Sequence, residues 1–256
     1  MVEGDPSDRA LEDAVLRVEI RAIHQKSRRS YGSRRVHKHL APKHRVRRHR
    51  VRRLMVAEGL KTKRSPKFKV TTDSGNTKVL HENVRARDFT VGTLNRAWAG
   101  DITCLWTNEG WLYLAVVMDL GSRRIIGWSF RKTLDTPLVT SALDMALGVR
   151  TPSPGLICHS DRGSPDGSGD VQAMIDRYSM GGSMSRKGNC GDNAVVESFF
   201  SILKTDQVAD YRWDTRTEAV SAVVEWIEGW YNRERMHSTL RYMSPVAFEA
   251  TIAQTL

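Results

Sequence analysis

The hydrophobic pattern changes period more than once along this chain. Residues 7–59 carry apolar positions at helical spacing. Ser7 can cap a first helix bearing Leu11, Val15, Leu16, Val18 and Ile23. A turn at Gly32 precedes a short helix with Val36 and Leu40, which Pro42 breaks. Val46, Val51, Leu54 and Met55 mark a third helix, closed by Gly59. Arg47 falls at its expected N-cap, where Ser or Asn would serve better.

No sustained period runs through residues 61–94; TTDSGNT is turn chemistry and its flanks are polar or basic, so the segment reads as a linker. From Trp98 the texture becomes strand-like. WAGDITCLW, WLYLAVVMDL and RRIIGWSFRK, separated by TNEG and GSR, predict a three-stranded antiparallel meander. Asp135-Thr136-Pro137 starts a helix through Leu147 with the stripe Leu138, Ala142, Met145, Ala146. GLICHSD reads as a short buried strand ending in an acid, followed by a helix near 168–178 and a brief strand near 182–185.

The next run, NAVVESFFSILK (193–204), is an apolar helix with a carboxylate set into it. Val195, Val196, Phe199, Phe200, Ile202 and Leu203 cover one broad side; Asn193, Glu197, Ser201 and Lys204 stack on the other. A helix over 215–233 and a last one started by Ser244-Pro245 complete the pattern. Strands first, then strand and helix alternating, predict an α/β fold: a mixed sheet flanked by helices, behind a small all-α unit. The expected divisions are 1–62, a basic helix-turn-helix region; 63–94, the linker; and 95–256, the α/β core with its C-terminal helices.

Charge sharpens this division. Residues 16–70 hold 20 of the 40 Lys and Arg, and only Glu19 and Glu58 as acids. That segment is +18 against +11 for the chain, so the remainder carries −7. Concentrated basic charge points to a polyanion, foremost nucleic acid. Three short helices with arginines outward suggest a helix-turn-helix, its third helix entering the major groove. Arg34, Arg35, Arg47, Arg48, Arg50 and Arg52 are the candidate DNA contacts, to phosphates or to guanine edges. His37, His39, His44 and His49 crowd the same segment, but no Cys pair accompanies them and the spacing disfavours zinc. The longest apolar run, 112–118, is far short of a membrane span, and the acidic N-terminus is no signal peptide. Cys104, Cys158 and Cys190 are too scattered for a disulfide framework, which fits a cytoplasmic setting.

A lone Glu on a helix usually faces solvent, and that reading of Glu197 stands until other acids join it. Asp101 lies in the first strand of the core and Asp161 ends the fourth. If these strands are neighbours, the two carboxylates converge at one edge, and Glu197 needs only its helix to lie beside it. Close carboxylates repel, so their natural partner is a divalent cation, and oxygen-only ligands suit Mg²⁺ or Mn²⁺. Two such ions suit displacement at a phosphodiester. Asp119, ending the second strand, reads as a structural acid, with proximity to the metal as the alternative.

The run NRAWAGDITCLWT, GWLYLAVVMDLGSRRIIGW, HSDRGS, SMSRKGNCGDNAVVESFFSILKTD and YNRERMHSTLRYMSP resembles the insertion-sequence transposases of the IS-three family. The likeness is to their catalytic subunit, the second-reading-frame product, and runs from about residue 20 to about 250. The resemblance implies a ribonuclease-H-like core akin to retroviral integrases and an Asp-Asp-Glu triad on Asp101, Asp161 and Glu197, with 35 residues between the last two. It implies one or two Mg²⁺ or Mn²⁺ ions, and cleavage followed by strand transfer at element ends. Lys204 matches a basic residue expected to touch the DNA end; Arg186, Lys187 and Asn193 could hold phosphates or bases, or form a plain basic loop. YNRERMHSTL reads equally as a nucleic-acid contact or a packed turn. Expected partners are DNA ends and target, a second copy, and the upstream-frame subunit or fusion; the expected place is the bacterial nucleoid.

The chain departs from the family at Pro165, Asp166 and Gly167, where Gln-Tyr and a small residue are usual, at Gly181-Gly182, and at Gly191, where Trp is usual. These changes stiffen a loop beside Asp161, add a charge, and remove side chains near the acids. The alternative expectation is therefore a catalytically weakened DNA-binding or regulatory remnant.

Overall fold

Ser7 caps the first helix, α1 (Asp8–Lys26), with its side chain accepting from the N–H of Ala10. The computed structural model describes residues 7–63, 93–160, 169–184, 194–208 and 211–254. The chain forms two units, Met1–Ser65 and Pro66–Leu256.

In the first unit, α1 is followed by α2 (Ser33–Leu40) and α3 (Arg48–Ala57). The core is Leu16, Ile20 and Ile23 of α1 with Tyr31, Val36, Leu40, Val51, Leu54 and Met55. The expected α1 stripe is corrected here. Leu16 and Ile23 are buried, but Leu11, Val15 and Val18 stay exposed, and Ile20 takes their place. The reason is the direction from which α3 approaches. Asp13 pairs with Arg50 at 2.7 Å and Arg53 at 2.6 Å, and Arg17 and Arg21 reach Glu58, so α3 lies along that side of α1. Gly59 closes α3 with φ +66°, a conformation glycine adopts without a Cβ penalty.

The second unit opens with the expected meander: β1 (Ala97–Thr107), β2 (Gly110–Asp119) and β3 (Ile125–Arg131). Then come α4 (Thr136–Val149), β4 (Ile157–Ser160), α5 (Gly169–Arg177), β5 (Gly181–Met184) and α6 (Ala194–Leu203). The sheet order is β3-β2-β1-β4-β5, antiparallel through the meander and parallel from β1 to β4 to β5. Alternation along β1 sorts its two faces. Trp98 and Ile102 join Ala115, Val117 and residues of α4 and α5 in one core. Ala99, Asp101 and Thr103 therefore point to the other face. Gly127 of β3 is needed for that first core, since a Cβ there would meet the carbonyl oxygen of Ala142 at 2.1 Å.

The C-terminal region departs from a simple helical reading. α6 runs on into a π-helical turn, Lys204–Val208. The expected 215–233 helix is α7 (Arg216–Glu225) followed by a second π-helical turn, Trp226–Tyr231. The two turns meet: Trp226 Nε1 donates to Asp206 Oδ2 at 3.3 Å, with both residues buried. Ser244 caps the last helix, α8 (Pro245–Ala253), and Glu249 on it accepts from Arg124 and Arg150. Asn232 completes the edge of β3, accepting from the N–H of Ile125 and donating to its carbonyl, each at 3.0 Å.

Candidate active site

β4 runs beside β1 for three rungs, Ala97–Ile157, Trp98–Cys158 and Ala99–His159, and ends at Ser160. Asp101 stands two residues beyond the last rung, where β1 continues against β2 alone on its other edge. It is half-buried, and its Oδ1 accepts from the N–H of Ile102 at 2.7 Å. A cavity of about 40 Å³ lies between the sheet and α4 and α5, lined chiefly by Ile102, Ala142, Leu143, Val171 and Ile175 and reaching Asp101 and Ser160. Asp161, the residue after Ser160, lies outside the described residues, as do Arg186, Lys187, Asn193 and the departures at Pro165, Asp166, Gly167 and Gly191.

α6 packs against β1. Its apolar side is buried through Val196, Phe199, Phe200 and Leu203, while Val195 and Ile202 are half-buried. Phe199 is held edge-on by Tyr231 at 4.8 Å and tilted against Trp226 at 5.6 Å between ring centroids. This anchoring leaves Glu197, in the first turn, half-buried. Lys204, seven residues on, begins the π-helical turn and is half-buried on the same side of the helix. α6 and β1 are thus in contact, with Asp101 on one element and Glu197 on the other. Among the described residues, no group of three or more His, Cys, Asp and Glu side chains could hold a metal ion. The described donors here are carboxylate oxygens, the class that suits Mg²⁺ or Mn²⁺.

Asp119 is a structural acid. It is fully buried and accepts from the N–H groups of Asn95, Gly121 and Ser122. Burial pushes its carboxyl above the usual range, against those three bonds. The YNRERMHSTL segment also resolves towards packing: Tyr231, Asn232 and Arg235 are buried, and the Arg235 guanidinium lies 5.4 Å from the Trp230 ring centre. Sequence reading missed the Asp206–Trp226 and Asn232–Ile125 bonds, which join residues far apart in the chain and carry no local signal.

In the helical unit, Arg34, Arg47, Arg48 and Arg52 are exposed, and Arg35 lies over the Tyr31 ring at 5.6 Å. Arg50 corrects the expectation. Its guanidinium donates to Asp13 at 2.7 Å, Glu12 at 2.8 Å and the Arg9 carbonyl at 3.3 Å, so it holds α3 to α1. Asp13 and Glu12 lie just outside the acid-poor window, which is why counting charge in that window hid the pairing. Of the histidines here, His24 bonds with the Lys61 carbonyl, His37 with the Val46 carbonyl, and His44 with Glu19. Burial lowers the His24 pKa, so its ring favours the neutral form. No helix among the described residues is long and apolar enough to cross a membrane.

Comparison with known proteins adds the lineage. Residues 94–190 and 197–252 match two models described as integrase core domain, and residues 10–68 match an HTH-like domain. The chain is 40% identical over 248 residues to the insertion element IS600 uncharacterized 31 kDa protein of Shigella sonnei, covering 96% of this chain and 91% of that one. It is 40% identical over 229 residues to transposase InsF for insertion sequence IS3A of Escherichia coli, covering 89% and 80%. Among solved structures, a simian T-cell lymphotropic virus intasome in complex with a PP2A regulatory subunit matches with TM-score 0.52 and 15% identity, over 90% of this chain and 73% of that one. That likeness concerns the fold, a ribonuclease-H-like integrase core.

Proposed function

We infer the chemistry from one premise: the chain belongs to the insertion-sequence transposases of the IS3 family, which are polynucleotidyl transferases. On that premise we read Asp101, Asp161 and Glu197 as the catalytic triad for cleavage and strand transfer at the element's ends. The observation that carries the reading is the place of Asp101. It lies just past the last β4 rung, on the face of β1 away from the α4 and α5 core, and Glu197 is in the first turn of α6, a helix that packs against β1.

Asp101 and Asp161 would hold a divalent cation, Mg²⁺ or Mn²⁺, and Glu197 would complete the site for one or two ions. Bound there, the ions supply neutralisation of phosphate charge and polarisation of the attacking oxygen. Water attacks the phosphodiester at the element end; one P–O bond forms, the P–O3′ bond breaks, and a 3′-hydroxyl is released. That hydroxyl then attacks a second phosphodiester, exchanging one P–O bond for another with no covalent enzyme intermediate. The chain's own contribution is position and charge. α6 is held by Phe199 and Phe200 buried in the core, which fixes the helix that carries Glu197. Lys204 offers a point charge to a phosphate of the DNA end, and Arg186, Lys187 and Asn193 extend the contact. Arg34, Arg35, Arg47, Arg48 and Arg52 neutralise duplex phosphates at the helix-turn-helix. Pairing with a second copy or with an upstream-frame subunit, on the nucleoid, belongs to the same reading.

The test supplies labelled element ends with Mn²⁺ to the wild type, Asp161→Ala and Glu197→Ala. Cleavage by the wild type that either change abolishes supports the triad. Cleavage that survives both changes refutes it. Binding without cleavage in the wild type supports the weakened remnant that the changes at 165–167 and 191 suggest.

A further inference from the structure

α3 (Arg48–Ala57) sorts its residues onto three sides. Val51, Leu54 and Met55 are buried in the core of the helical unit. Arg50 and Arg53 turn to α1, where Asp13 accepts from them at 2.7 and 2.6 Å. His49, Arg52 and Val56, at i, i+3 and i+7, share the remaining side, and all three are exposed. Where the last helix of a three-helix reader lies along the major groove, that register reaches base edges.

Val56 is the odd member of this side. It is apolar, yet 71% exposed. With Arg52 it lines an open groove of about 660 Å³, whose other walls include Ser33 at the start of α2 and Lys61 beyond the end of α3. Its surroundings are cationic, since Arg48, Arg52 and Lys61 are all exposed. Such charge complements a nucleic-acid duplex rather than an apolar protein surface. Cations neutralise phosphates, a task to which an isopropyl group adds nothing. What Val56 gains from is burial against another apolar group. On the floor of the major groove that group is the C5-methyl of thymine.

We propose that Val56 is a specificity-determining residue, which reads the C5-methyl group of a thymine in the major groove of the element end. The proposal rests on the helix-turn-helix reading above, in which α3 enters that groove. Arg52 holds the phosphates, and Val56 selects a T·A pair against pairs that present no methyl group there.

The test uses the full chain without divalent metal, so that no strand is cut, and reads binding by fluorescence anisotropy. One labelled duplex carries the element's terminal repeat; the other carries deoxyuridine at every thymine, which removes the methyl groups and keeps the pairing. The wild type binds the thymine duplex more tightly by about fourfold or more, the equivalent of burying one methyl-sized group. In Val56→Ala that preference shrinks by about fourfold, because the shorter side chain draws back from the methyl. Alanine is the stronger helix former, so α3 keeps its fold. The salt slope of Val56→Ala stays that of the wild type, because no charge is lost. Equal wild-type binding of the two duplexes overturns the proposal, and so does a preference that Val56→Ala leaves intact. Arg52→Ala, by contrast, weakens both duplexes alike. Unchanged binding in Arg52→Ala overturns the DNA-facing side of α3 itself, and Val56 with it.

Discussion

Replacing Phe199 by Ala tests whether the aromatic cluster behind α6 holds the helix that carries Glu197. Phe199 is 1% exposed and meets Phe200, Trp226 and Tyr231 at ring separations of 5.4, 5.6 and 4.8 Å. Truncating such a ring costs roughly 3–5 kcal/mol through lost transfer energy and the cavity left behind. The ring-on-ring geometry accounts for about 0.5–1.5 kcal/mol of this per pair. In a unit the size of Pro66–Leu256, each kcal/mol moves the melting point by about 2–4 °C, giving an expected fall of about 6–20 °C. Phe199→Leu keeps much of the apolar volume, so its expected cost lies below that of Phe199→Ala. Near-ultraviolet circular dichroism follows the melt, because the tryptophans of the core report this unit and the helical unit has none. A loss below about 1 kcal/mol in Phe199→Ala, the size of an ordinary substitution, would show that α6 is held some other way.

Three further outcomes follow from single contacts. Arg52→Ala weakens DNA binding and lowers the salt slope of log K by about 1; Arg50→Ala leaves the slope unchanged and lowers the melting point of the helical unit, because Arg50 binds α1. A shallower slope in Arg50→Ala would restore it to the DNA-contacting set. Glu249 is buried, which raises its pKa, but hydrogen bonds from Arg150 and Arg124 outweigh that and hold it below the usual range. Its stabilisation is present above its unfolded value and is lost as pH falls through the folded one; Glu249→Gln costs roughly 3 kcal/mol at pH 7 and flattens this acid limb in denaturant titrations. An acid limb identical in both proteins would refute the assignment. Gly127→Ala drives a methyl group into the Ala142 carbonyl, so the expected result is insoluble or molten protein on expression; a cooperative near-wild-type melt would contradict the close approach of α4 to β3.

The sequence was readable where one element's own pattern carried the signal. Ser7, Ser244 and Gly59 mark ends that local chemistry dictates, and all three appear in their expected roles. The meander was legible because the apolar runs WAGDITCLW, WLYLAVVMDL and RRIIGWSFRK are separated by the turn residues TNEG and GSR. Periodicity failed on α1: Leu11 and Val15 look as core-facing as Leu16, and only the approach of α3 decides between them. It failed again at Trp226–Tyr231, where a π-helical turn adds a residue to the helical repeat without changing its composition.

By itself the sequence determined the order of elements, the basic character of the first unit, and the places of Asp101 in β1 and Glu197 in α6. These follow from properties local to a residue and its near neighbours: cap chemistry, period and charge. Tertiary structure decided which side of β1 Asp101 takes, because that depends on which core claims Trp98 and Ile102. It also decided that Arg50 binds α1, that Asp119 is structural, and that Tyr231 and Arg235 are packed. Each of those outcomes is a choice between partners distant in the chain, made by burial and desolvation, and no single stretch of sequence encodes it.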